Sequence, residues 1–345
     1  MLISKSIEPS MDLEVTMVTP SQCLRFGEAQ CRDVSGFFEE KVLRDVLESR
    51  GNFKKLVEVR GSKTTVEDVL KLFETHSIRA TPVYELGPGG RKVYTGIVSV
   101  IDLLKFTTAE IFHSLHSDEC APPNLDKDDT EFLKRPVSEV LASGSDSVVA
   151  IHPETDSLRA LVEAFSQHTL RALVQSSTDK SAQRLQLVSQ TDIMRFMLSH
   201  ASELPSLMAT SVSTFFMPNP VVFDISHRTV DAFVMMYCKK VGAIGVVDEC
   251  GILIANLSAS DLRFLRAGNI SDLQQPLAYF LFSTKGEVRA PLCCQPSDSL
   301  FDVISAILSH HVHRIWVVDA DRRPVGLVTL TDVLRLISKS MSIVP

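Results

Sequence analysis

Four acidic residues in this chain stand in the same local setting. Asp102, Asp192, Asp261 and Asp332 each lie three residues after a hydroxyl, at Ser99, Ser189, Ser258 and Thr329. Each pair sits where an apolar, β-type run gives way to an amphipathic segment. A carboxylate there is a bidentate acceptor, which suits a vicinal diol, and a charge-assisted bond of this kind contributes roughly 1.5–3 kcal/mol. The N–H groups of the helix start beside it hold anionic groups. Ser/Thr-x-x-Asp is also a capping-box variant, in which hydroxyl and acid satisfy a helix's first turn. One residue pair can serve both purposes.

A second column accompanies the first. Arg79, Arg171 and His313, the last followed by Arg314, occupy matching places at the entry to a β-rich run. The planar fork of an Arg matches phosphate. A solvated strand-edge charge is the bland alternative, and entry into an apolar run argues against it. The third instance has Ala243 and Ile244, and so brings no basic group of its own at this point.

The elements that must position these residues repeat. Apolar residues at helical spacing recur at Val66/Val69/Leu70/Phe73, Leu158/Leu161/Val162/Phe165, Val230/Phe233/Val234/Tyr237 and Leu300/Val303/Ile304/Ile307. Helix-starting residues precede each, for example Thr64–Thr65 and Ser297–Asp298. Before them lie short extended runs, Leu56–Val59, Val148–Ile151, Val221–Phe223 and Ala290–Cys293. After them come the basic column, a β-rich run, a polar turn, a second β-run ending in the motif, and a helix opened by the Asp. The fold class is therefore α/β (α+β): four β-α-β-β-α units, each too small to stand alone and completed by docking on a neighbour. We expect an N-terminal extension over 1–40, copies at 41–115, 136–203, 204–268 and 289–340, and linkers at 116–135 and 269–288, with the major boundary near Leu204. Val42–Leu47 begins a helix before copy one, and Leu277–Phe282 structures the last linker.

Composition agrees with a globular protein: 345 residues, 45% hydrophobic, 22% charged. The net charge of −7 argues against a protein that coats nucleic acid, so any anionic ligand must be held by a local basic cluster. No apolar run approaches the ~20 residues of a membrane span, and the N-terminus lacks the order of a secretion signal. Seven cysteines without a repeated spacing fit a reducing compartment, cytoplasmic or nuclear. His310, His311 and His313 lack metal-ligand spacing, and Gly87–Gly90 reads as a hairpin turn, not a phosphate loop. Met235–Met236 reads as helix core. No catalytic signature stands out, and the repeats consume nearly all of the chain.

The pattern helix, β-run, Gly-h-h-Ser/Thr-x-x-Asp, helix resembles the CBS (cystathionine β-synthase) motif, two of which make a Bateman module. Four, with Val312-His-Arg-Ile-Trp-Val-Val318 and Ile78-Arg-Ala-Thr-Pro-Val83, resemble the gamma regulatory subunit of AMP-activated and sucrose-non-fermenting-type protein kinases. Leu187-Val-Ser-Gln-Thr-Asp192 and Asn256-Leu-Ser-Ala-Ser-Asp261 are similar to plant-type gamma-like members. The resemblance covers about residues 40–340 and implies two Bateman modules in a disc-like, pseudo-symmetric assembly. It implies that Asp102, Asp332, Asp261 and Asp192, in that order of promise, accept ribose hydroxyls. Ser99, Thr329, Ser258 and Ser189 would help seat ribose and phosphate, and Arg79, Arg171, His313 and Arg314 would hold phosphate in a central cavity. Gly96 and Gly326 would let the nucleotide approach the backbone, a feature copies two and three lack at Gln186 and Ala255. The implied ligands are AMP, ADP or ATP, and the implied partners are kinase catalytic and beta-type subunits, with neither nucleic acid nor membrane. The rivals are a scaffold with empty sites and a stand-alone sensor acting on another enzyme.

Overall fold

The computed structural model describes residues 28–51, 55–115, 130–143, 150–167, 169–176 and 184–342. Each copy is introduced by a leader. The first leader holds α1 (Glu28–Glu40) and α2 (Leu43–Ser49), and copy one follows as β1 (Val59–Arg60), α3 (Val66–Thr75), β2 (Ala80–Leu86), β3 (Lys92–Ser99) and α4 (Val100–Leu115). The second leader, α5 (Glu131–Lys134) and α6 (Val137–Ala142), precedes copy two: β4 (Ile151–Pro153), α7 (Leu158–Gln167), β5 (Arg171–Ser176), β6 (Arg184–Ser189) and α8 (Gln190–Ser199). The third leader holds α9 (Pro205–Met208) and β7 (Met217–Pro218), then β8 (Val222–Asp224), α10 (Thr229–Cys238), β9 (Ala243–Val247) and β10 (Leu253–Ser258) form copy three. The fourth leader ends in α11 (Leu277–Lys285), and copy four is β11 (Cys293–Cys294), α12 (Leu300–Ser309), β12 (Arg314–Val318), β13 (Pro324–Thr329) and α13 (Leu330–Ser342).

Every copy has the same small sheet, its first strand parallel and its third antiparallel to the second. The first strands are two or three residues long and begin later than the sequence predicts. In copy one only Val59 and Arg60 find partners, Val83 and Tyr84, so the ladder stops there. The expected start of copy two's strand, Val148, lies outside the described residues. The predicted helical faces are buried in copies one, two and four, with Val66, Val69, Leu70 and Phe73 sealed, as are Leu300, Val303, Ile304 and Ile307; in copy three Val230 and Phe233 are buried, but Val234 is half-buried and Tyr237, at the helix end, is exposed. Caps start these helices where hydroxyls offered them, with Thr65 Oγ1 accepting from the Asp68 N–H at 3.1 Å.

Copy three departs after its motif. Where the sequence predicts an amphipathic α-helix, the chain forms 3₁₀ turns over Ala259–Phe264 and again over Ala267–Gln274. Ser260, Gly268 and Asn269 are poor helix formers, and tight i→i+3 bonding suits such short pieces.

The leaders cross over between consecutive copies. Val42 of the first bridges to Ser157 of copy two, and Pro136 of the second to Thr65 of copy one. Ser211 of the third bridges to Ser299 of copy four, and Pro276 of the fourth to Arg228 of copy three. The large apolar cores instead join alternate copies. One unites α7, α8, α12 and α13 of copies two and four with Phe37, Phe38, Val46, Leu207 and Val212 from the first and third leaders. The other unites copies one and three with Phe132, Val137, Leu277 and Phe280 from the second and fourth leaders. A small third cluster, Leu253, Trp316 and Val318, seals the sheets of copies three and four, where the Trp316 indole N–H donates to Asn256 Oδ1 at 3.2 Å. A fully buried Leu or Phe contributes roughly 1.5–3 kcal/mol, so α1, within the segment read as an extension, is part of the core of copies two and four.

Candidate functional site

The Ser/Thr-x-x-Asp motifs sit at four strand-to-helix corners, and all four are capping boxes. In each, Asp Oδ2 accepts from the motif hydroxyl and its backbone N–H: from Ser99 at 2.6 and 2.8 Å, Ser189 at 2.6 and 2.8 Å, Ser258 at 3.3 and 2.8 Å, and Thr329 at 2.6 and 2.9 Å. Three of the carboxylates, Asp102, Asp261 and Asp332, are buried. The cap holds each carboxylate in a fixed orientation and uses one oxygen, leaving Oδ1 to the surroundings.

Those surroundings differ. Arg50 forms an ion pair with Asp192. Lys285 Nζ lies 3.1 Å from Asp261 Oδ2. Arg335 Nη1 lies 3.2 Å from Asp332 Oδ1 and its Nε donates to Ser166 O of copy two at 3.1 Å. Among the described residues Asp102 has no such ion pair.

The basic column converges. Arg79 is half-buried, and burial together with the nearby Arg314, Arg263 and Arg171 pushes its pKa down to about 9 against a supporting pull from Asp261. Burial lowers Arg171 to about 10, opposed by Asp102 and Asp192, and lowers Arg314 to about 10, opposed by Asp261. Guanidiniums that repel one another in a poorly solvated place favour any anion that can join them. Arg79 Nη2 also donates to His311 O of copy four at 3.5 Å, and His313 Nδ1 lies 3.4 Å from Thr191 Oγ1 of copy two. The structure thus brings Arg79, Arg171 and Arg314 together with Asp102, Asp192 and Asp261. Asp332 is paired instead with its own helix's Arg335.

Arg263 is the residue that sequence reasoning missed. It supplies copy three's charge to the cluster, in place of the vacant Ala243 position, and its guanidinium stacks 5.1 Å over Phe264. A signal existed: the residue two past the motif Asp is Leu104, Met194, Arg263 and Leu334, so one copy carries a charge in an apolar column.

The glycine column also has a packing role. A Cβ at Gly96 would come within 2.7 Å of Leu141 on α6, and one at Gly326 would overlap the Phe216 ring. These glycines admit a leader, and Gln186 and Ala255 stand buried at the corresponding places in copies two and three.

The CBS domain family model matches residues 54–108 and 286–339, within copies one and four. The chain is 26% identical to the SNF1-related protein kinase regulatory subunit gamma-like PV42a of Arabidopsis thaliana, over 84% of this chain and 93% of that one. It is 23% identical to the 5'-AMP-activated protein kinase subunit gamma of Saccharomyces cerevisiae, over 54% of this chain and 60% of that one. The crystal structure of protein MJ1225 from Methanocaldococcus jannaschii shares the fold, with a TM-score of 0.63 at 18% identity over 83% of this chain and 97% of that one. The architecture is typical of non-catalytic regulatory proteins. Two segments of the chain thus match the CBS domain, and the chain is homologous at low to moderate identity to proteins that include AMPK and SNF1 gamma-like subunits.

Proposed function

We propose that this protein is an adenine-nucleotide-binding, gamma-like regulatory subunit of a Ser/Thr protein kinase complex. The observation that carries the reading is the meeting of Arg79, Arg171, Arg263 and Arg314, one from each copy, beside motif carboxylates oriented by their caps. The arginines take phosphate and the carboxylates take ribose hydroxyls. Relatives named as kinase gamma or gamma-like subunits favour catalytic and beta-type subunits as partners. Because all four copies supply the cluster, a bound anion ties copies together, and it influences a partner only through different affinity for the tied and untied states. A sensor must release its ligand, and a dissociation constant between 1 and 100 μM corresponds to roughly −8 to −5.5 kcal/mol.

The test is a thermal-shift titration with AMP, ADP, ATP and GTP, since a ligand that binds only the folded chain raises its midpoint by mass action. A rise with adenine and not guanine nucleotides supports the reading. A folded protein with no shift at millimolar ligand turns it toward the scaffold, which the ion-paired carboxylates of three copies favour. Co-purification with kinase catalytic and beta-type subunits tests the partner half.

A further inference from the structure

Each motif carboxylate has two oxygens, and the four corners use them differently. Oδ2 belongs to the cap at every corner. Arg50 and Lys285, which end the first and fourth leaders, pair with that same Oδ2 at Asp192 and Asp261. Among the described residues Oδ1 is engaged only at Asp332, where Arg335 Nη1 lies 3.2 Å from it. A vicinal diol needs this uncapped oxygen, because Oδ2 already accepts from the Thr329 N–H and hydroxyl. The fourth corner is thus filled by a side chain of its own helix.

Helical spacing alone does not produce this contact. Arg195 follows Asp192 at the same separation, yet it is exposed and makes no ion pair among the described residues. The difference lies in what else Arg335 reaches. Its Nε donates to Ser166 O at 3.1 Å. Ser166 stands in the last turn of α7, where carbonyls lack intrahelical partners and a cation complements the helix dipole. The planar fork lets one guanidinium face Asp332 and Ser166 together. The preceding carbonyl, Phe165 O, accepts from Gln190 Nε2 at 3.1 Å, and that amide also donates to Thr331 Oγ1 of the fourth motif at 3.0 Å. The end of α7 in copy two is therefore tied to the fourth corner by two routes. Arg335 is 44% exposed, so water screens its ion pair and the side chain can turn out into solvent.

We infer that Arg335 is a tethered competitor for the fourth corner: it holds the Asp332 oxygen that a ribose hydroxyl would take, and a nucleotide bound there displaces it from Asp332 and from the end of α7 together. The fourth corner then binds more weakly than its motif alone would allow, and its occupancy is passed to copy two. Arg171 opens β5 just beyond α7, so the tie runs toward the arginine cluster. This rests on the nucleotide reading above, but different measurements decide the two. That reading turns on whether the wild-type chain binds at all. The competition turns on how binding changes when Arg335 is removed.

The experiment is calorimetric titration of the full chain with AMP, in wild type, Arg335→Met, Asp332→Asn and the double variant. Asn keeps a cap at the corner but gives Arg335 no counter-ion. Arg335→Met is expected to tighten AMP at one site about three- to fivefold, the range that a half-exposed ion pair supplies. The gain should vanish in the Asp332→Asn background, where there is no contact left to break. Arg335→Gln repeats the comparison where the Met variant does not fold. Hydrogen exchange gives the second readout: AMP should speed exchange in the last turn of α7 in wild type, and Arg335→Met should do so without AMP. Unchanged AMP affinity in Arg335→Met overturns the inference, and so does a gain that survives Asp332→Asn. Weaker binding also overturns it, by making Arg335 a phosphate ligand, and so does α7 exchange that AMP leaves unchanged. A wild-type chain that binds no AMP ends the nucleotide reading for that chain; binding by Arg335→Met alone still supports the competition, and binding by neither overturns it too.

Discussion

Copies one and three share one apolar core and carry the same box, yet Asp102 and Asp261 live differently. Asp102 is held by Ser99 and faces a half-buried Arg171 across the copy boundary. Asp261 is held by Ser258 and clamped by Lys285, while its own copy sends Arg263 toward the arginine cluster. A local motif fixes the orientation of a carboxylate. What that carboxylate is free to bind is decided by the segment that another part of the chain lays beside it.

The sharpest way to break this comparison is to remove the clamp. Lys285→Met leaves a buried Asp261 without its counter-ion and should cost about 2–3 kcal/mol, below the usual range for a fully buried pair because the lysine is partly exposed. Asp102→Asn weakens the cap and removes a charge that faces the partly exposed Arg171 without a direct ion pair, and should cost less, about 1 kcal/mol. Urea denaturation of the two variants should show that order, and equal losses would erase the distinction. The glycine column makes a second contrast. Gly96→Val drives a side chain into Leu141 and should cost about 1–3 kcal/mol, whereas Ala255→Gly should cost roughly 0.5–1 kcal/mol.

The smallest effect expected is electrostatic. Arg79 has a folded value of about 9 below its ordinary 12.5, so between those values the unfolded chain binds more protons and stability rises with pH. The repulsion and burial thus weigh on the fold at neutral pH and are relieved progressively as pH rises from about 9 toward 12.5. Arg79→Gln should therefore raise the ligand-free midpoint at pH 7 by about 1–2 °C, and the gain should shrink as pH rises above about 9. The same variant should weaken nucleotide binding, so a gain in both would break the assignment of the cluster to phosphate.

The repeating units were legible because their signals are local. Val66, Val69, Leu70 and Phe73 mark a helical face by spacing alone, and Ser99 with Asp102 marks a cap by separation alone. The direction in which a face docks is not local. Periodicity shows that Phe37 and Phe38 are too apolar to be left in water, but not that copies two and four receive them. For that reason the fourth leader and part of the second passed for linkers, and the packing of Gly96 beneath Leu141 went unread. Arg263 was readable as a charge in an apolar column. The clamps were readable only as Arg50-Gly51 and Lys285-Gly286, a pattern without meaning until the crossing of leaders is known.

The alternate packing of copies also sets a timetable for biosynthesis. The apolar face formed by Val66 to Phe106 is closed by Val230 to Leu281, far downstream. At roughly 5–20 residues per second, the ribosome spends on the order of ten to thirty seconds between Phe106 and Phe280. Throughout that interval the nascent chain displays greasy surface that only the second leader, through Phe132 and Val137, is yet there to cover. A chain cut near Leu204 would leave both fragments in that state permanently, each holding half of both cores, so the molecule is born in one piece or not at all.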